Sequence, residues 1–183
     1  MKQAEMRLSL FEHPAGVETA PGNRVVYAIG ANEAHFGAVR VDGPALVWEI
    51  GGDGSGAALS EHVDLGAARD WIVRCDRIDF PPGGVAYRHT HPGAGIRRVL
   101  FGSIHIDAPG HSHTYGPGDA WLEGADYPVL ATASGEEPTA FVRVMLLPAE
   151  WEGKRTIRYL DPADEDKPKL QRPTVFFDHR LEP

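Results

Sequence analysis

Apolar residues in this chain come in short bursts of four to ten positions rather than long helical stripes. The runs 24–29, 45–50, 71–80, 85–91, 96–101, 103–107, 120–123, 129–133 and 141–147 are rich in β-branched and aromatic residues. Turn formers bound them, which predicts strands. The 21 glycines and 15 prolines break the chain too often for long helices. Residues 61–70 leave room for a helical turn, although Val63, Leu65 and Ala68 make a poor amphipathic stripe. Many short strands at close spacing predict an all-β sandwich or closed barrel.

Composition narrows the function classes. With 26 acids against 18 bases and a formal charge of −8, the chain has no basic run to hold phosphates or anionic lipid. Neither a nucleic-acid nor a membrane partner is expected. The single cysteine, Cys75, excludes an intramolecular disulfide, fits a reducing compartment and reads as a small strand residue. No stretch approaches the roughly 20 apolar residues of a membrane span, and residues 1–9 lack a signal-like apolar core. A cytoplasmic location is expected. The glycine-rich run 51–56 lacks the helix start of a phosphate cradle and reads as a loop. After a charged, proline-bearing stretch at 161–169, Thr174 to Phe177 turns apolar again. Such a segment docks on something, either its own barrel or a homodimer partner.

Five of the nine histidines fall between residues 89 and 113. His89 and His91, one residue apart, point the same way on an extended strand. A glycine-rich turn before them and Pro92-Gly93 after them suggest a strand ending at a cavity mouth. Two neutral imidazoles converging there suit a divalent transition metal.

The segment resembles the cupin family of small jelly-roll barrels. Gly83 to His91 matches the spacing of the family's first motif, a glycine, five residues and His-x-His. Gly102 fits the motif's closing glycine, and Tyr115-Gly116-Pro117-Gly118-Asp119 resembles the turn of the second motif. The resemblance covers residues 71–147. It implies an all-β, cupin-type double-stranded β-helix, with extra N-terminal strands from residues 1–70 and an irregular C-terminal extension at 148–183. At 183 residues the whole chain reads as one domain. Two family ligand positions are vacant. The glutamate position falls on Gly95 and the second-motif histidine near Val129, so a metal is not simply inherited with the fold.

Strand parity offers replacements. Glu123 reaches the cavity if it and Trp121 face inward, and His113 does so if Tyr115 packs inward. With His89 and His91 these make the candidate ligand set for iron, manganese, nickel or zinc. Arg97, on the side of Gly95, either clamps a substrate carboxylate or pairs internally with an acid such as Glu123. Tyr87 shares the parity of His89 and is a second candidate for contact with a small-molecule ligand. Two functions follow as expectations. One is a metal-dependent enzyme, dioxygenase-like or isomerase-like, acting on a small anionic molecule. The other is a metal-free barrel that binds a small molecule without catalysis. Gly102-Ser103 lacks the strained nucleophile turn of a serine hydrolase.

Overall fold

A computed structural model describes residues 5–68 and 70–182 of the chain. In chain order the strands are β1 (Glu5–His13), β2 (Val17–Glu18), β3 (Arg24–Ala28), β4 (Glu33–Phe36), β5 (Arg40–Val41) and β6 (Ala45–Ile50). Then follow β7 (Leu59–Asp64), β8 (Trp71–Phe80), β9 (Val85–Thr90), β10 (Gly95–Phe101), β11 (Ile104–Ala108) and β12 (His111–Tyr115). The chain continues through β13 (Ala120–Glu123), β14 (Val129–Ala133), β15 (Thr139–Pro148), β16 (Arg158–Tyr159) and β17 (Arg172–Arg180). Two short 3-10 turns, Ala149–Trp151 and Pro162–Glu165, interrupt the last third. No helix among the described residues is long and apolar enough to cross a membrane.

Strands β8 to β15 form two facing antiparallel sheets in the orders β13-β10-β15-β8 and β12-β11-β14-β9. Apart from the β11–β12 hairpin, neighbours in each sheet are far apart in sequence and consecutive strands alternate between sheets, which is the connectivity of a jelly roll. Its turns are written locally. In Gly116-Pro117-Gly118-Asp119 the Asp119 N–H donates to Gly116 O at 3.0 Å. Proline presets the second position of that turn, and Gly118 takes the third at φ 92°.

The C-terminal extension is not irregular. It adds β17 beside β8 and β16 beside β9, one strand to the edge of each sheet, and the intervening residues bridge them. The apolar stretch read at 174–177 therefore docks on its own barrel. Residues 59–64 are strand as well, since pairing with β1 across the register Glu5↔Asp64 to Leu10↔Leu59 overrides a weak helical pattern.

The N-terminal sheet, β4-β3-β6-β1-β7, covers the outer face of the β8-containing sheet. Leu8, Leu10, Val25, Tyr27, Leu46 and Trp48 meet Val73, Cys75, Ile96, Val142, Val144 and Leu146 in one buried cluster. Both faces of the central sheet are thus shielded, which is why nine consecutive residues of β15, Thr139 to Leu147, are buried. A second cluster fills one end of the barrel, with Ile78, Phe80, Val99, Ile104, Ile106, Trp121 and Phe141.

Candidate functional site

The barrel interior opens into a cavity of about 860 Å³. Its apolar wall includes Ile78, Phe80, Ile106, Trp121, Val129 and Phe141. Its polar wall is a row of charges running across the central sheet. Asp76 on β8 lies opposite Arg143 on β15, and Arg143 lies opposite Arg97 on β10. On β13 Glu123 lies opposite Gly95, and its carboxylate reaches Arg97 to complete the row. All of them line the cavity and all are buried.

Each charge has a partner, and the partners define the site. The Arg143 guanidinium donates from Nε and Nη2 to the two Asp76 carboxylate oxygens at 2.7 and 2.9 Å. Its Nη1 lies 3.1 Å from His91 Nε2. A guanidinium only donates, so His91 Nε2 is the acceptor and the ring carries its proton on Nδ1. Nδ1 then donates to Thr156 Oγ1 at 3.1 Å. Arg97 donates from Nη1 to the Gly95 carbonyl at 2.6 Å. Its Nη2 approaches Glu123 Oε2 at 2.7 Å, yet the N–H groups are not aimed at that oxygen and Nη2 completes no hydrogen bond. The other Glu123 oxygen accepts from the Trp121 indole N–H at 2.9 Å.

His89 differs from His91. Its Nδ1 bonds the Tyr87 carbonyl at 2.6 Å, so Nδ1 carries the proton and Nε2 is left as a bare acceptor. The ring lines the cavity and sits 5.0 Å from that of His91, edge to face. Burial lowers the His89 pKa to about 4, outweighing the Tyr87 carbonyl and Glu123, with Arg143 and Arg97 adding to the fall. Burial, then Arg143, holds His91 well below its ordinary value. Both imidazoles are neutral at pH 7. Burial also lowers the Arg97 guanidinium to about 10, Glu123 opposing and Arg143 reinforcing the drop. It remains a cation.

The C-terminal extension closes the cavity on its open side. Thr156, Tyr159, Lys169, Gln171, Pro173 and Val175 all line it. A buried Arg74–Asp178 pair, bidentate at 2.6 and 2.5 Å, ties β17 to β8. Asp178 also accepts from the Gly153 N–H at 2.7 Å, which fixes the start of the segment that carries Thr156.

Of the residues singled out from sequence, His89, His91, Arg97 and Glu123 line this cavity, and Tyr87 and His113 do not. Tyr87 fails because β9 is bulged. Val129 pairs with His89 but Ala131 pairs with Ala86, so Ala86 and His89 face inward three residues apart and strict alternation breaks. The Tyr87 ring lies outside under Lys167, 4.7 Å from the ammonium, and only its carbonyl serves the site. His113 is exposed on β12 against Tyr115, their ring centroids 4.6 Å apart. Tyr115 does pack toward the barrel, stacking on Trp121 at 4.5 Å, but the next inward-parity position is already outside. For Arg97 the internal ion pair with Glu123 is the arrangement found. Asp76 and Arg143 were missed. Their signal was present in charges interrupting otherwise apolar strands, Val73-Arg74-Cys75-Asp76 and Val142-Arg143-Val144, where a buried charge requires a buried partner.

No family model and no curated protein matches the chain. Among solved structures, it is similar to an RmlC-like cupin from Shewanella frigidimarina, 19% identical, TM-score 0.38, over 42% of this chain and 67% of that one. The polyketide cyclase RemF from Streptomyces resistomycificus is 20% identical, TM-score 0.40, over 52% and 63%. A variant of the salicylate 1,2-dioxygenase from Pseudoaminobacter salicylatoxidans, in complex with gentisate, is 10% identical, TM-score 0.42, over 93% and 68%. The chain thus spans about two thirds of the length of these proteins. Its own strand order, β13-β10-β15-β8 facing β12-β11-β14-β9 with the histidine pair at the end of β9, decides the fold. The chain has the cupin fold.

The donors in this cupin barrel do not suit a resident divalent metal as they stand. A metal needs the His91 Nε2 lone pair, which faces the Arg143 cation. It needs Glu123, whose two oxygens face Arg97 and Trp121. Among the described residues no three His, Cys, Asp or Glu side chains group as a ligand set. Nor is Gly95 a simple gap where a ligand once stood. A Cβ there would lie 2.3 Å from the Val144 carbonyl oxygen, so β10 and β15 approach too closely for any side chain.

Proposed function

We propose that the cavity is a binding site for a small organic anion with an apolar, ring-bearing body, and that it works without a resident metal. The observation that carries this reading is the direct cross-strand pairing of Arg97 and Arg143 inside the barrel. Like charges opposite one another are unfavourable in a sheet, and burial makes them more so. Asp76 and Glu123 flank the two arginines from outside. A carboxylate in the cavity meets the positive charge of both guanidiniums, which line it. Phe80, Trp121 and Phe141 then offer faces and edges to a ring. A few polar groups set in an apolar bowl are the usual composition of a small-molecule site.

A divalent ion at His89 and His91 would instead require Arg143 Nη1 to leave His91 Nε2. Calorimetric titration with phenylacetate tests the proposal. Wild-type protein binds it, and Arg97→Met weakens binding at least about tenfold, since a hydrogen bond to a charged group contributes roughly 1.5–3 kcal/mol. The double variant Arg97→Met/Glu123→Gln removes the buried pair together and shows the same loss if Arg97→Met alone folds poorly. Undiminished affinity in both variants, or no binding by wild type, would overturn the proposal.

A further inference from the structure

The polar atoms left without partners describe more of the occupant than its charge. Arg97 Nη2 lies 2.7 Å from Glu123 Oε2 without an aimed N–H, a donor held by its ion pair alone. His89 Nε2 is the opposite. The Tyr87 carbonyl holds the proton on Nδ1, and the free nitrogen faces the same cavity as an acceptor without a donor. A second acceptor is supplied by the C-terminal extension. Gln171 spends its amide N–H on Tyr159 Oη at 3.2 Å, while its Oε1 is buried without any partner. Among the described residues, only Trp48 Nε1 joins Arg97 Nη2 and Gln171 Oε1 as a buried side-chain atom that completes no hydrogen bond. Leaving such an atom unmade costs about 1–3 kcal/mol. Arg97 and Gln171 both belong to the lining of the cavity in which His89 leaves a bare imidazole nitrogen.

Resting on the anion-binding reading above, we infer that the occupant carries a hydroxyl besides its carboxylate: a hydroxy acid with an aromatic or alicyclic body. The carboxylate engages Arg97 and Arg143. The hydroxyl donates to His89 Nε2, the ring nitrogen left as the acceptor by the Nδ1 bond to the Tyr87 carbonyl. A site built around an acceptor discriminates strongly against the analogue that lacks the donor, because the acceptor is then desolvated and unpaired. An acid without the hydroxyl should enter and bind less well.

The test is a calorimetric comparison of phenylacetate with each enantiomer of mandelate, which differs from phenylacetate by one hydroxyl. At least one mandelate enantiomer binds wild-type protein about tenfold more tightly than phenylacetate, the ratio expected for one well-made hydrogen bond. In His89→Phe that preference disappears, the ratio of mandelate to phenylacetate affinity falling to about one. His89→Gln is the second variant, and its amide oxygen restores part of the preference. Equal affinity for the two acids in wild type overturns the inference while leaving the anion site standing. So does a preference that survives in His89→Phe. If neither acid binds, the anion-binding reading itself has failed.

Discussion

The two faces of the central sheet show what each half of this molecule is for. Toward the N-terminal sheet, β8, β10 and β15 present Val73, Cys75, Ile96, Val142, Val144 and Leu146, all fully buried and all apolar. Toward the cavity the same strands present Arg74, Asp76, Arg97, Phe141 and Arg143. Alternation along a strand separates the two sets by a single residue. The first face gains free energy from area removed from water. The second places ions where they gain little or lose. A sheet that could be apolar on both sides, and is charged on one, holds those charges for something other than stability.

The largest expected effect comes from breaking a pair on the charged face. Asp76→Ala leaves Arg143 buried without its bidentate partner and should destabilise the fold by about 3–5 kcal/mol, measured by urea unfolding. Replacing the pair together, Asp76→Leu/Arg143→Met, should return stability to near wild type while carboxylate binding is lost. Low stability in the double variant as well would mean that the row of charges is structural after all.

On the apolar face Leu146→Ala should cost about 2–5 kcal/mol, the usual range for a buried leucine, and leave phenylacetate affinity unchanged in calorimetry. A large fall in affinity would show that the two faces are not separable.

A smaller effect is expected from pH. The folded pKa of His89 is about 4, against roughly 6.5 in an unfolded chain. Between these values the unfolded chain binds more protons, so stability is full above pH 6.5 and falls as the pH drops toward 4. From pH 7 to 5 this residue alone removes about 2 kcal/mol. Urea midpoints of wild type and His89→Phe at the two pH values measure it, and an equal acid loss in both would remove His89 as the cause.

The contrast between the faces was partly legible in the sequence. Strand alternation brought Arg97 and Glu123 to one side of their strands, and the glycine and histidine spacing pointed to the jelly roll. It failed where the backbone departs from strict alternation. The bulge between Ala86 and His89 turns Tyr87 outward, and no side-chain pattern announces a bulge. His113 was placed by parity from Tyr115, but parity says nothing of where the interior ends along a strand. Arg143 is sixty-seven residues from Asp76 and fifty-two from His91. Only the strand order, which joins β15 to both β8 and β10, brings that guanidinium to the histidines. Residues 158–159 and 172–180 contribute edge strands because the barrel offers unpaired edges there, a tertiary cause outside local propensity.

The Arg143 guanidinium, 3.1 Å from His91 Nε2, stands where a metal bound at that nitrogen would have to be. Metal content after saturation with manganese, iron, nickel and zinc, followed by desalting, tests it most directly, using untagged protein. Far less than one ion per chain is expected, with no difference between wild type and a folded His89→Ala/His91→Ala variant. One tightly held ion per chain, lost in that variant, would contradict it.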